Sequence, residues 1–459
     1  MQSGPQMDMT TEALITSVVT EAGSSLSVID RIVNTVGFSY SSDVLSVGDP
    51  FTVEIPNPRG SYDAKFLIGS LVKLYLRNPN VNGGQLTLKH LGRVIRRHSS
   101  VSGGGRRIRV ECADLGWHLQ NSAAPLWYRT QGKRLYDLLT DPKWIDPSWG
   151  LQGVEVDNLT DRLTRQGLNQ GRAQASLDAQ SVLGTFTCLQ VEPGDSVLSH
   201  IGEYARRINR LVGVTCEGKL KLWVPDDSQD PNFRIELHDL DDPDRNRNNV
   251  IDVSVEESID PLYTHTTCIG EIVGGQLVSD STNQNASKRR GDFVYERLLP
   301  FVRKQTFCDG EAYDPDVARK VARWKALRGI FDAWQAVYVV RGHWQRAWPG
   351  GRAYWWESDQ MVSIDDSLNG ISGNFYIQSV RLDRDGKTGD RTTITVRRPG
   401  LLSAAFGVYP RPPPPSDPSD PRRDFPSRSR SRCSFRPAGR RRSLRPQRRR
   451  ERNGSRTTP

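Results

Sequence analysis

Between Val28 and His118 apolar and polar residues alternate in short runs: Phe38-Ser39-Tyr40, Phe51 to Ile55, Leu71 to Leu76, Leu86 to Ile95 and Ile108 to Cys112. A period of two sets one face of each run inward, the mark of a half-buried strand. Gly48-Asp49-Pro50, Pro56-Asn57-Pro58, Asn82-Gly83-Gly84 and Gly103-Gly104-Gly105 punctuate them. Short strands so spaced predict a small antiparallel barrel or sandwich. Ala113 to Leu119 reads as a short helix closing it.

The period changes after Pro193-Gly194, a chain-reversal signal. Asp195 and Ser196 are N-cap types, because a short side-chain oxygen can accept from an orphan N–H of the first turn. Val197/Leu198, Ile201, Tyr204/Ala205, Ile208 and Leu211/Val212 then line one face of a helix. Arg206, Arg207 and Arg210 fill the last turn, where cations suit the dipole, and Gly213 fits the left-handed position after it. Val214 and Cys216 lead into Glu217-Gly218, and Leu220, Leu222 and Val224 lead out, a hairpin.

Ahead of this unit, Lys133 to Leu139 reads as a short helix and Leu151 to Gly184 as a polar insertion. Behind it, Asp226 to Asn249 is acidic and rich in Pro and Asn, which marks a linker. Val250 to Glu256, Leu262 to Gly270 and Phe293 to Arg303 read as strands, with a polar loop over Ser279 to Arg290. Asp314-Pro315 opens a second helix with Val317, Val321, Trp324, Leu327 and Phe331 on its apolar stripe. Ala336 to Arg341, Gln360 to Ile364, Phe375 to Leu382 and Thr392 to Arg397 are strands again.

The expected fold is α+β and mostly β, with two small antiparallel β-barrel domains flanking an α/β domain. A flexible arm over 1–28 precedes a first barrel over 29–122. The α/β domain covers 123–228, the second barrel with its inserted helix 229–402, and a disordered tail 403–459. Four consecutive prolines open Ser/Arg/Pro low complexity there, which cannot bury enough apolar surface to fold.

Charge changes the picture only at that tail. The net charge is +10, but from Arg411 to Pro459 there are 16 arginines against four acids, which leaves −2 on the rest. A basic nucleic-acid-binding fold is therefore not indicated for the body. The tail would hold any polyanion by counterion release, without sequence specificity. The six cysteines include no Cys-x-x-Cys pair, so reduced, mostly buried thiols are expected rather than zinc or redox chemistry. The first basic residue is Arg31 and no apolar run is long enough to span a bilayer, so neither a signal peptide nor membrane insertion is expected.

No His-Glu-x-x-His, Gly-x-Ser-x-Gly or Walker loop occurs, and the seven histidines are scattered. Asp239, Asp241, Asp242 and Asp244 lack the glycine and closing Glu of a calcium loop and read as a solvated acidic turn. No enzyme activity, cofactor or metal is expected. Six of the eleven Trp fall between Trp324 and Trp356. Neighbours on a strand face opposite sides, so one of Trp355 and Trp356 is expected at a subunit interface.

Three stretches resemble the baseplate hub proteins of contractile-tailed phages, of the Mu-like, late control D-like type. The first is Val191 to Val224, with Pro193-Gly194-Asp195-Ser196, the helix, and a hairpin turning at Gly218. The second runs from the Trp-rich Trp344 to Trp356 through Asp365-Asp366, Leu368, Gly370-Ile371 and Phe375 to Val380 to Thr392 to Pro399. The third is Phe51 to Asn57, Leu91 to Val94 and Glu111 to Leu115. The long 140–185 segment, the 279–290 loop and the tail depart from the family pattern.

The resemblance implies a homotrimeric ring in which three subunits present six barrels, joining the tail tube to the spike. Its implied partners are itself, the tail tube protein, the spike and other baseplate proteins. Tape-measure protein and DNA would pass through without sequence-specific binding, and a near-neutral body suits such a conduit. The implied place is the virion tail, assembled in the host cytoplasm. Two rival readings are a LysM-like peptidoglycan-binding module, which also opens Pro-Gly-Asp-Ser but needs a second short helix, and a tail-borne cell-wall hydrolase.

Overall fold

Phe51, Val53 and Ile55 are buried while Thr52 and Glu54 stand half-exposed, so the period-two pattern is the inside–outside pattern of a strand. The computed structural model describes residues 12–19, 27–32, 35–126, 135–156, 191–270, 290–309, 315–347 and 351–402, less a position or two inside some of these stretches. Residues 1–411 form one compact unit. The expected disordered tail and the polar insertion from residue 157 onward lie outside the described residues.

The first lobe contains β1 (Glu12–Val19), β2 (Ser27–Ile32), β3 (Gly37–Asp43), β4 (Pro50–Pro56), β5 (Leu71–Arg77), β6 (Thr87–Ser102) and β7 (Gly105–Asp114). They pair antiparallel in the order β3-β4-β7-β6-β5-β1-β2. Its first two strands correct the expectation of a loose arm over 1–28. β1 pairs with β5 from Glu12 to Val18 and buries Ala13 and Ile15. Ser and Thr between apolar residues are compatible with a strand whose other face is wet, which is what a Ser/Thr-rich composition conceals.

The middle unit contains α1 (Trp117–Asn121), α2 (Leu135–Thr140), β8 (Val154–Val156), α3 (Val197–Arg207), β9 (Leu211–Val214) and β10 (Leu220–Trp223). The strands pair as β8-β10-β9, with β8 parallel to β10. Leu138, Trp144, Ile201, Tyr204 and Leu220 share a core of their own beneath the helices.

The second lobe opens with β11 (Phe233–Leu237), inside the stretch expected to be a linker. Phe233 and Ile235 alternate inward there, and β11 pairs parallel with β19 (Gln360–Asp366). β12 (Val250–Glu257), β16 (Trp334–Arg341), β21 (Gly389–Arg397), β20 (Ile371–Asp385) and β19 continue the sheet antiparallel. A small hairpin, β17 (Trp344–Arg346) with β18 (Ala353–Trp355), stands beside it.

Between β12 and β16 the chain builds a satellite, β13 (His265–Gly270), β14 (Arg290–Val294) and β15 (Lys304–Asp309) under α4 (Pro315–Asp332). The strand expected over Phe293 to Arg303 is instead the end of β14, a loop and the approach to β15. α4 meets this sheet through Ala318 and Ala322, with Cys268 below. Gly291 lies so close that a Cβ there would sit 2.0 Å from the Arg319 backbone nitrogen. Small residues on both sides permit this approach.

The expected pair of closed barrels is not what forms. Among the described residues thirteen strands from both lobes make one sheet, and its ladders do not close on themselves. Between β11 and β12, Asn249 spans the gap that a ladder would fill. Its Oδ1 accepts from the Glu236 backbone N–H at 3.1 Å and its Nδ2 donates to the Arg234 carbonyl at 2.8 Å. No helix among the described residues is long and apolar enough to cross a membrane.

Candidate functional site: the joint between the lobes

β20 is fifteen residues long because it serves two partners on one edge. Ile371 to Ile377 pair with β19, and Ser379 to Asp385 pair with β3 of the first lobe. On its other edge β21 pairs from Tyr376 to Asp385, with a bulge between Ile377 and Ser379. The residue in the bulge is Gln378. A bulge bends its strand and frees one residue from the ladder, and here it falls where β20 passes from one partner to the other.

Gln378 is buried and ties three elements together. Its backbone carbonyl accepts from the Val44 N–H at 3.0 Å, and its Nε2 donates to Asp43 Oδ2 at 3.1 Å. Its Oε1 accepts from Arg397 Nε at 2.7 Å. Arg397 Nη1 in turn donates to the carbonyls of Phe331, Asp332 and Trp334 at 3.2, 3.1 and 3.0 Å. The first two carbonyls end α4, where a cation meets both unpaired acceptors and the negative dipole end, and the third opens β16. Burial of the guanidinium pushes its pKa down. The five-donor fork of Arg suits such a set of acceptors, and a Lys ammonium would not match it.

A second contact joins the lobes through the β17–β18 hairpin. Lys89 on β6 pairs with Glu357 and lies over the Trp355 ring, and Trp355 Nε1 donates to Thr87 Oγ1 at 3.2 Å. Val81 and Ala353 form a bridge beside it. The Phe38 and His343 rings meet at 5.4 Å, and Gly37 passes so close to β20 that a Cβ would lie 2.7 Å from the Arg384 carbonyl oxygen.

Trp355 and Trp356 are both buried within one chain, at 4% and 3% exposure, so neither is offered to a partner. The expectation assumed a continuous strand. β18 ends at Trp355, and Trp356 leaves it to stack on Phe233 at 4.2 Å between ring centroids.

The Pro193-Gly194-Asp195-Ser196 motif lies at the start of α3. Gly194 takes a left-handed φ of +105°, which the turn after Pro193 needs and a glycine provides without strain. Ser196 Oγ accepts from the Ser199 N–H at 3.0 Å and caps α3, while the Asp195 carbonyl accepts from Ala124. Gly218, at φ +85°, turns the β9–β10 hairpin, and a Cβ there would press on Leu91 and Leu115. Gly213 does not end the helix. α3 stops at Arg207, and Gly213 lies in β9 opposite Lys221.

Where the first lobe meets the middle unit, Asp114 Oδ1 accepts from the Gly116 N–H at 2.7 Å and the Asp114 N–H donates to the Asp49 carbonyl at 3.0 Å. Burial and then the Asp114 carboxylate push Asp49 up to about 7. Burial also pushes Asp114 up to about 6. His90 on β6 is held neutral, pushed down to about 3 by burial alone. Sequence reasoning passed over Gln378, Arg397 and this carboxyl pair. Buried polar residues have no signature in a pattern that treats polar as outside.

No protein-family model matches the chain, and no curated protein does. Solved structures do. The tail protein of Neisseria meningitidis MC58 superposes with a TM-score of 0.62 at 16% identity, covering 87% of this chain and 99% of that one. The 43 kDa tail protein of prophage MuSo2 from Shewanella oneidensis gives 0.60 at 16%, covering 86% and 100%. A chain of the Francisella PdpA-VgrG complex gives 0.51 at 10%, covering 88% of this chain and 60% of that one. The fold is thus shared with solved phage tail proteins, as the resemblance implied.

Proposed function

We propose that this chain is a structural protein of a phage or phage-derived contractile tail, a trimeric hub that joins the tail tube to the spike. The observation that carries this is the joint at β20, where two sheet-built lobes are held edge to edge by a continuous ladder inside one subunit. Lobes fixed in this way are suited to be repeated about an axis. Three copies would present six similar lobes, which is how a threefold spike could meet a sixfold tube. The full-length likeness to two tail proteins supports the same reading.

Partners in this reading are two further copies, the tube protein, the spike and neighbouring baseplate proteins. DNA and tape-measure protein would thread the axis without base-specific contacts. A LysM module is not favoured, because α3 runs into the β9–β10 hairpin where LysM needs a second short helix. Sedimentation of the purified protein, alone and with the spike, is expected to give a species of three times the 51.6 kDa chain mass. A stable dimer would argue against the ring.

A further inference from the structure

Where the β20–β21 hairpin turns beside β3, residues of β12, β16, β20 and β21 line a cleft of about 530 Å³. Arg341, Arg384 and Arg391 lie in it beside Asp385, Asp390 and the turn residues Gly386, Thr388 and Gly389. The acids of the cleft are already engaged. Asp390 lies 3.6 Å from Arg384 and 3.8 Å from His343. Asp385 has an interaction of its own. Asp383, next along the row, binds Arg381 at 3.0 Å.

Arg341 and Arg391 are left over. They stand directly opposite each other in the β16–β21 ladder. Like charges so placed, with Cβ atoms about 5 Å apart, repel and destabilise a sheet. Asp383, held by Arg381, lies opposite Arg391 on its other side, but among the described residues neither guanidinium forms a hydrogen bond or ion pair, and Arg391 Nε is buried with no acceptor. A buried N–H without a partner costs about 1–3 kcal/mol, so a site that keeps one calls for an acceptor from outside.

The geometry points to a phosphate-binding site in this cleft, with Arg341 and Arg391 as its two forks. One anion between them reverses the repulsion and gives Arg391 Nε its acceptor. Two forks and the Thr388 hydroxyl offer more donors than a carboxylate has oxygens, whereas a phosphate presents three or four. The cleft exceeds a bare phosphate, which leaves room for an ester of it. The source is either free inorganic phosphate or the backbone of a nucleic acid. The proposal does not depend on the trimer.

Phenylglyoxal labelling of the intact protein, read peptide by peptide by mass spectrometry, tests it without interference from the Arg-rich tail. Inorganic phosphate, against chloride of equal ionic strength, is expected to slow labelling of Arg341 and Arg391 several-fold and to leave exposed Arg346 unchanged. Arg391→Gln should abolish the protection at Arg341 while the protein melts no lower than before. Protection by a short oligothymidylate as well assigns the site to nucleic-acid backbone; protection by inorganic phosphate alone assigns it to the free anion. Labelling rates at Arg341 and Arg391 that phosphate does not change would overturn the proposal, as would undiminished protection of Arg341 in the variant.

Discussion

Leu382→Asp is expected to abolish folding of the body. Leu382 is fully buried on β20, between Tyr40 of β3 and Thr392 of β21, in the core that both lobes share. The substitution removes a buried side chain, at about 2–5 kcal/mol. It also puts an unpaired carboxylate in its place, which costs several kcal/mol more however the group protonates. Together these approach the about 5–15 kcal/mol that holds a typical domain. Far-UV circular dichroism and the soluble yield read the result. Asn374→Asp, on the exposed face of the same strand, should melt with the wild type and shows that the effect belongs to the joint. A folded Leu382→Asp protein would mean that β20 does not run between the lobes as described.

Arg397→Met should cost about 3–5 kcal/mol, because it leaves several buried acceptors unpaired at about 1–3 kcal/mol each. Methionine keeps much of the volume but leaves Gln378 Oε1, two carbonyls at the end of α4 and one at the start of β16 without their donor. In urea the midpoint should fall with the slope unchanged. Arg397→Lys should recover less than half, because an ammonium cannot span the same acceptors. A loss below 1 kcal/mol in Arg397→Met would show that the network is not what holds α4 to the sheet.

Most strands of the two lobes were legible because a half-buried strand writes its burial pattern into the sequence. Phe51 to Ile55 and Phe375 to Leu382 are clear cases. What failed has a common cause. β1 and β11 lie in stretches whose composition is polar, and it hides the short alternations Ala13/Ile15 and Phe233/Ile235 within them. Ala318 and Ala322 form the buried side of α4 because the facing sheet carries Gly291, a fact about distance that hydrophobicity does not encode. Gly213 suits a helix end or a strand equally well, and the ladder with β10 decides it. Trp355 and Trp356 are both inside because β18 ends between them. The closed barrels failed for a topological reason. Along one edge of β20 the partner changes from β19 to β3 at Gln378, and one glutamine in an apolar run does not announce such a handover.

The likeness to known tail proteins was legible in motif order. The site was not, since Gln378 and Arg397 read as ordinary strand residues until their partners are seen.

Cryo-electron microscopy of the purified oligomer, alone or with its spike, puts the main idea to its most direct test. A ring of threefold symmetry with six evenly placed sheet lobes, paired within each subunit through β3 and β20, is the expected image. Particles of twofold symmetry, or rings in which a subunit contributes one lobe and leaves the other off the circle, would contradict it.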